Sequence, residues 1–233
     1  MATVLGIDTA TTDAAVAVTR DGSAVEERLV GPRPDGRPRH AQVVLAEAEA
    51  AIATAGGWEQ IELVAIGIGP GSYTGLRIGI ATARALAQSL GLPLGGVCTL
   101  ATLARAIGEH PQAAGVPRLA AIDARRGQLF ASLYDPAGEL TWGPLVAEPA
   151  EVAELVARED AIPLAAGDGA LRFQPDLEAA GATIASQDDP VHRIAARHLC
   201  VLAESLAPRQ PQEIEPLYLR APDAEIWLER DHR

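Results

Sequence analysis

Three short constellations in this chain have the residue types and spacing to do chemistry. Asp8 closes the apolar run from Thr3 to Ile7, Asp123 closes Leu119 to Ile122, and each is followed by a polar turn. Carboxylates at strand ends that face one cleft can hold a magnesium–nucleotide for phosphoryl transfer. Equally, each carboxylate could accept hydrogen bonds from the turn after its own strand. The second constellation is Gly69-Pro70-Gly71-Ser72-Tyr73-Thr74-Gly75, at a strand-to-helix turn. Glycine there lets backbone amides reach a phosphate, or lets another segment pack with no Cβ between them. Gly167-Asp168-Gly169 is the third, either an adenosine-contacting turn or an ordinary strand-to-helix connection. Asp8, Asp123, Gly167, Asp168 and Gly169 are therefore the candidate residues of a nucleotide cleft. Thr9, Thr11 and Thr12 add hydroxyls to it, while Ala10 and Ala14 add nothing.

Other chemistries are excluded by residue type. All 19 basic residues are arginine, so a Walker A loop and a Schiff-base lysine are impossible. The five histidines, His40, His110, His192, His198 and His232, show no ligand spacing with Cys or carboxylates, so no metal is expected. Ser72 is not in a Gly-x-Ser-x-Gly elbow, because Tyr73-Thr74 displaces the second glycine, and no base stands near it in sequence. It belongs at a helix N-cap. Acidic residues outnumber basic ones 31 to 19, for a net charge of −12, where a primary nucleic-acid binder is expected to be basic. Cys98 and Cys200 lie in apolar patterns and read as buried free thiols of a reducing compartment. No apolar run reaches the roughly 18 residues of a membrane span. Asp8 interrupts the first apolar run with no basic segment before it, so a signal peptide is not expected and the cytoplasm is.

The elements that must position these residues form a repeat. Strands are expected over 3–9, 14–19 and 23–30, the last two joined by an Asp21-Gly22 hairpin turn. A mobile Gly/Pro/Arg loop over 31–39 leads into a helix over 40–55. Strand 62–68 and helix 74–90 follow, then a short strand ending at Val97 and a helix capped by Thr99. The second half runs in the same order: strands 119–123, 129–134 and 140–146, helix 149–158, strand 162–166, the glycine turn and another helix. Each half is thus β-β-β-α-β-α, which predicts an α/β protein of two ribonuclease-H-like lobes with a cleft between them. The N-terminal lobe is expected over 1–105 and the C-terminal lobe over 106–189. A last helix over 190–206 packs on the N-terminal lobe, and 207–233 form a tail with a frayed end.

Several segments resemble one family in order along the chain: Ile7-Asp8-Thr9, Arg39-His40-Ala41, Gly67 to Gly79, Ile122 to Gly127, Gly167 to Gly169 and Glu215 to Arg220. Together they resemble the TsaB (YeaZ) family, with the glycine segment through Gly79 the most specific part. Tyr73, Leu76 and Gln128 stand where that family more often has Phe, Val and Glu. The resemblance implies the actin-like (ASKHA) fold and a dimerisation subunit without a catalytic centre. It implies binding to the paralogous TsaD-type transferase, with a TsaE-type ATPase joining them, and a homodimer when alone. The complex moves a threonylcarbamoyl group to N6 of adenosine 37 in tRNAs reading ANN codons. No cofactor is required by this chain, although ATP or ADP is expected at the interface of the complex, and tRNA is reached only through the complex. TsaD carries a His-x-x-x-His metal motif after a Gly-Val strand end; here those positions are Thr99 and Leu103. A small-molecule kinase of the actin-like superfamily and a metallopeptidase are the alternatives.

The same resemblance implies a four-helix bundle between partners, built from helices 40–55 and 74–90. Its expected contact residues are His40, Val44, Ala48, Thr74, Arg77, Ile78, Gly79, Thr82, Ala83, Ala85 and Leu86, with Arg77 and Arg84 pairing to acidic groups of the partner. Gly79→Glu or Ala83→Glu is then expected to abolish partner binding while leaving the monomer folded.

Overall fold

The computed structural model describes residues 2–207 and 209–220. Two mixed five-stranded sheets carry the fold, each flanked by helices on both faces. The first contains β1 (Thr3–Asp8), β2 (Ala14–Arg20), β3 (Ser23–Val30), β4 (Leu63–Gly69) and β5 (Leu94–Cys98), in the order β3-β2-β1-β4-β5. β1 to β3 form an antiparallel meander, while β4 and β5 join in parallel through α1 (His40–Thr54) and α2 (Tyr73–Leu90). The second contains β6 (Arg118–Arg125), β7 (Gln128–Tyr134), β8 (Leu140–Ala147), β9 (Leu164–Ala166) and β10 (Thr183–Ile184), in the order β8-β7-β6-β9-β10. The two orders are the same, so the repeat read from the sequence is a duplicated topology.

Strand alternation explains why both faces are covered. Leu5 and Ile7 of β1 point to one side and pack with Val44 and Ile52 of α1 and Leu76 and Ile80 of α2. Val4, with Ala15 and Ala17 of β2, points to the other side and meets Leu199, Cys200 and Ala203 of α7 (Ala196–Glu204). That second contact is close. A Cβ on Gly6 would stand 2.5 Å from Cys200 Sγ, so only glycine fits beneath α7. In the second sheet, Ala120 and Ile122 face Leu100, Leu103 and Ile107 of α3 (Thr99–Gly108). Leu119 and Ala121 face Val152 of α4 (Pro149–Val156) and Leu177 of α6 (Gln174–Ala179). Between α4 and α6 lies α5 (Asp168–Arg172), which follows β9 directly. α3 also packs against α7, so these two helices form the layer between the sheets.

Several elements differ from their sequence expectation: the one helix expected after the glycine turn is split into α5 and α6, and β10 was not expected. The helix expected over 149–158 ends at Val156, and the strand expected over 162–166 is only Leu164–Ala166. The helix expected over 190–206 is broken into a single 3-10 turn at Pro190–His192 and then α7. Tertiary hydrogen bonds make the break. Asp189 Oδ1 accepts from the Val191 amide at 2.8 Å, and the His192 ring is drawn into the second lobe. There Nδ1 accepts from the Gly167 amide at 3.1 Å, while Nε2 donates to Ser186 O at 3.0 Å. His192 and His198 are therefore not on one helix. Thr99 is the first residue of α3 rather than its cap, since Cys98 holds the N-cap position without a side-chain bond. The expected frayed end at 221–233, with His232, lies outside the described residues.

Candidate functional site

The glycine turn is built as a seam. Ser72 caps α2 by accepting from the Gly75 amide at 3.3 Å. Gly71, Gly75 and Gly79, four residues apart, lie under the turn between β1 and β2. A Cβ at Gly71 would stand 2.4 Å from Ala10 O, one at Gly75 2.1 Å from Thr9 O, and one at Gly79 2.2 Å from Thr9 Oγ1. The turn is bonded as well as packed: Thr9 Oγ1 donates to Gly75 O at 2.8 Å, and the Ser72 amide donates to Ala10 O at 2.7 Å. The Ser72 amide and the Thr9 hydroxyl, two donors that could serve a phosphate cradle, are thus engaged by the chain's own backbone. Gly167 and Gly169 repeat the device on β6, with hypothetical Cβ atoms 2.0 Å from Ala121 O and 2.7 Å from Ile122 C.

Asp8 and Asp123 bend the same way and end in different places. Asp8 Oδ1 accepts from the Ala10 amide, and Asp123 Oδ1 from the Arg125 amide, both at 2.8 Å. Asp8 is then sealed at 1 % exposure, with Thr99 Oγ1 donating to its Oδ2 at 3.1 Å and Gly67 directly over it. Burial raises its pKa from the ordinary carboxylate value to about 6. It does not line the interlobe cleft. Asp123 does, and its Oδ2 takes two guanidinium bonds, from Arg125 at 3.1 Å and Arg172 at 2.7 Å. Asp168 stands beside it, accepting from the Asp123 amide at 2.9 Å, and burial raises its carboxyl pKa. The cleft encloses about 440 Å³ between Thr11, Thr12 and Ser72 on one wall and Asp123 and Asp168 on the other.

The segment after α7 completes the cleft, a role that residue types alone did not suggest. The Leu217 amide donates to Ile68 O at 2.7 Å, and Tyr218 packs on Tyr73 with ring centroids 5.0 Å apart. Arg220 Nη1 then donates to Gln128 Oε1 at 3.1 Å, in the second lobe. The segment thereby bridges both lobes over the cleft mouth. Its only sequence signal was the motif Glu215 to Arg220, which carried a resemblance but no chemistry.

The expected partner face divides into two. Thr74, Arg77 and Ala85 are exposed, and Ile78, Thr82 and Leu86 are half-buried at the surface of α2. His40, Val44, Ala48, Gly79 and Ala83 are buried beneath the helices and cannot touch a partner. His40 Nε2 donates to Asp13 O at 3.1 Å, and burial lowers the pKa of the ring. Glu at Gly79 would collide with Thr9, and Glu at Ala83 would bury a charge, so both variants are expected to destabilise the monomer rather than leave it folded. Arg84 donates to Ile214 O and so holds the C-terminal segment. The outer surface instead presents Ala81 and Ala85 of α2 and Leu45 of α1, which is 47 % exposed.

Neither of the positions compared with TsaD's metal ligands is free. Thr99 is engaged by Asp8, and Leu103 is fully buried among apolar side chains. Among the described residues, no group of three or more His, Cys, Asp and Glu side chains could hold a metal ion. No helix among them is long and apolar enough to cross a membrane.

Residues 34–186 match the family model described as TsaD: tRNA N6-adenosine threonylcarbamoyltransferase. The chain is 39 % identical over 132 residues to the tRNA threonylcarbamoyladenosine biosynthesis protein TsaB of Escherichia coli, covering 56 % of this chain and 54 % of that one. The match thus spans about half the length of that relative. An uncharacterized protein of Mycobacterium tuberculosis is 32 % identical over 228 residues, covering 96 % of this chain and 94 % of that one. Among solved structures, YeaZ from Pseudomonas aeruginosa superposes with a TM-score of 0.78 at 30 % identity, covering 94 % of this chain and all of that one. A ROK hexokinase from Thermus thermophilus reaches a TM-score of 0.52 at 14 % identity, covering 86 % and 98 %, a likeness of fold alone. The duplicated sheets, the glycine seam and the full-length match to YeaZ agree, and the chain belongs to the TsaB (YeaZ) family.

Proposed function

We propose that this chain is a non-catalytic scaffold and activator subunit in tRNA threonylcarbamoyladenosine biosynthesis, docking a TsaD-type transferase on the outer face of α1 and α2. One observation carries the non-catalytic reading: at the two ligand positions of the paralogue, this chain has a threonine committed to Asp8 and a buried leucine. Leucine ligates no metal. The docking face follows from what α2 leaves outside, a run of small and apolar side chains through Ile78, Ala81, Thr82 and Ala85 that permits close helix–helix approach. The fold spends Gly71, Gly75 and Gly79 on holding that helix rigidly against β1 and β2, which preorganises the face. A TsaE-type ATPase joins the pair, any ATP or ADP sits at the interface of the complex, and the subunit alone closes on a second copy. The role implies the cytoplasm.

Co-purification with the TsaD-type transferase tests this, followed by assay of tRNA modification. Ala81→Glu and Ala85→Glu put a charge into the contact and cost it about 3 kcal/mol or more, roughly a hundredfold in affinity. Both variants are expected to keep the parent's thermal unfolding midpoint. Unchanged co-purification of both would overturn the docking face, and modification by this chain without any transferase would overturn the non-catalytic reading.

A further inference from the structure

At the mouth of the interlobe cleft several arginines of this acidic chain gather around Asp123 and Asp168. The hairpin between β6 and β7 turns on Arg125, Arg126 and Gly127, all left-handed, with φ of 63°, 55° and 77°. Asparagine or glycine takes such a turn at lower cost than arginine, so the arginines are placed against backbone preference. Two guanidiniums, those of Arg125 and Arg172, share the single carboxylate of Asp123. Arg220 bonds a neutral amide, Gln128, and keeps its full charge at the same mouth. Beside these cations stand Tyr73 and Tyr218, 38 % and 40 % exposed, with Arg77 lying 5.1 Å from the Tyr73 ring centroid. Among the described residues these are the two exposed aromatic side chains, in a chain that is only 3 % aromatic.

We infer that this rim binds unpaired nucleotides of an RNA loop, a base stacking on the Tyr73–Tyr218 pair while Arg125, Arg126 and Arg220 meet its phosphates. This deepens the proposed function and rests on it for the identity of the RNA as the substrate tRNA of the complex. Exposed tyrosine beside arginine is the combination that single-stranded nucleic acid recognises, since every base has a π face and every linkage a charge. An acidic peptide would satisfy the arginines and leave the stacked rings unused. The net charge of −12 does not oppose this. At physiological ionic strength charges beyond about 8 Å are largely screened, so the local field is set by the rim's own groups, the arginines together with Asp123 and Asp168. Binding by the isolated chain is then weak and salt-sensitive, and the partner supplies the rest.

The test is fluorescence anisotropy of a labelled RNA hairpin with an unpaired loop, titrated with the full chain at low salt and with the co-purified transferase complex. A fully paired RNA duplex, ATP and a polyglutamate peptide serve as competitors. Tyr218→Ala and Tyr73→Ala are each expected to weaken hairpin binding roughly fivefold or more. Arg125→Asn with Arg126→Asn, which keeps the left-handed turn, lowers the slope of log affinity against log salt by about 0.7 per arginine removed. Hairpin binding insensitive to the tyrosine and arginine variants in both settings overturns the inference. So does duplex competing as well as hairpin, or displacement by polyglutamate with equal potency, which would assign the rim to an acidic protein. Displacement by ATP at equal concentration would assign it to a free nucleotide. Failure of the docking reading is separate: Ala81→Glu and Ala85→Glu that both retain the transferase overturn it, whereas hairpin binding by the isolated chain is unchanged by either variant.

Discussion

The turn after β1 and the turn after β6 begin alike and finish as opposites. In both, an Asp at a strand end accepts the amide two residues on, and in both, a glycine-rich helix start lies against the turn. In the first lobe the turn is pressed onto α2 by Thr9, Ala10 and three glycines, and Asp8 is sealed below Gly67. In the second lobe the hairpin is shorter and stands clear, leaving Asp123 at the cleft between two arginines. A local turn motif therefore does not define a site. What covers it does, and the cover comes from residues up to 91 positions away, as with Thr99 over Asp8.

Substitutions in the two turns sharpen that contrast. Gly79→Glu drives a side chain into Thr9 and is expected to cost more than about 4 kcal/mol, seen as loss of the cooperative thermal transition. A variant that melts near the parent temperature would mean the seam is dispensable. Asp8→Asn comes next and has the opposite sign. The folded pKa of Asp8, about 6, lies above its ordinary value of 3.8, so the folded state holds the proton more tightly than the unfolded one. Its stabilising effect is complete below the ordinary value and is lost as pH rises through 6. Asparagine removes the buried charge and is expected to raise stability at neutral pH by about 1–3 kcal/mol, with the gain vanishing toward pH 4. Denaturant titrations of parent and variant across that range check this. His198, whose pKa is lowered to about 4 by burial and by Arg197 and Arg105, titrates over the same range but cancels in the difference. Asp123→Asn is the smallest: its own side chain is 5 % exposed, but its arginine partners are 62 % and 48 % exposed and can turn to water, so a loss of about 1 kcal/mol is expected in the same titrations. A loss as large as the Asp8 gain would break the comparison, because Asp123 would then be as structural as its counterpart.

The first lobe was legible almost to the residue. Asp21-Gly22, Gly56-Gly57 and Gly91 with Pro93 mark its boundaries, and its strands are β-rich apolar runs of five to eight residues, though β1 alternates poorly because both its faces are buried. The second lobe was less so, because β9 and β10 have three and two residues and take their pairing from β6 rather than from any pattern of their own. The break before α7 left no local signal either, since it depends on where His192 finds its partners. Faces of α2 were the main misreading. Glycine and alanine occur all round that helix, so nothing in its composition separates Gly79 and Ala83, which are buried, from Ala81 and Ala85, which are exposed.

By itself the sequence determined the family, the duplicated topology and the chemistry that cannot occur. A chain with no lysine forms no Walker loop or Schiff base whatever its fold, and glycines in the series 67 to 79 demand a close approach by something. Only the tertiary structure decided what approaches. The backbone of Thr9 and Ala10 fills the glycine groove, Thr99 closes over Asp8, and Tyr218 returns to Tyr73 at the cleft mouth. Each of these is a contact between residues distant in the chain, and small side chains carry no amphipathic pattern from which such a contact could be read.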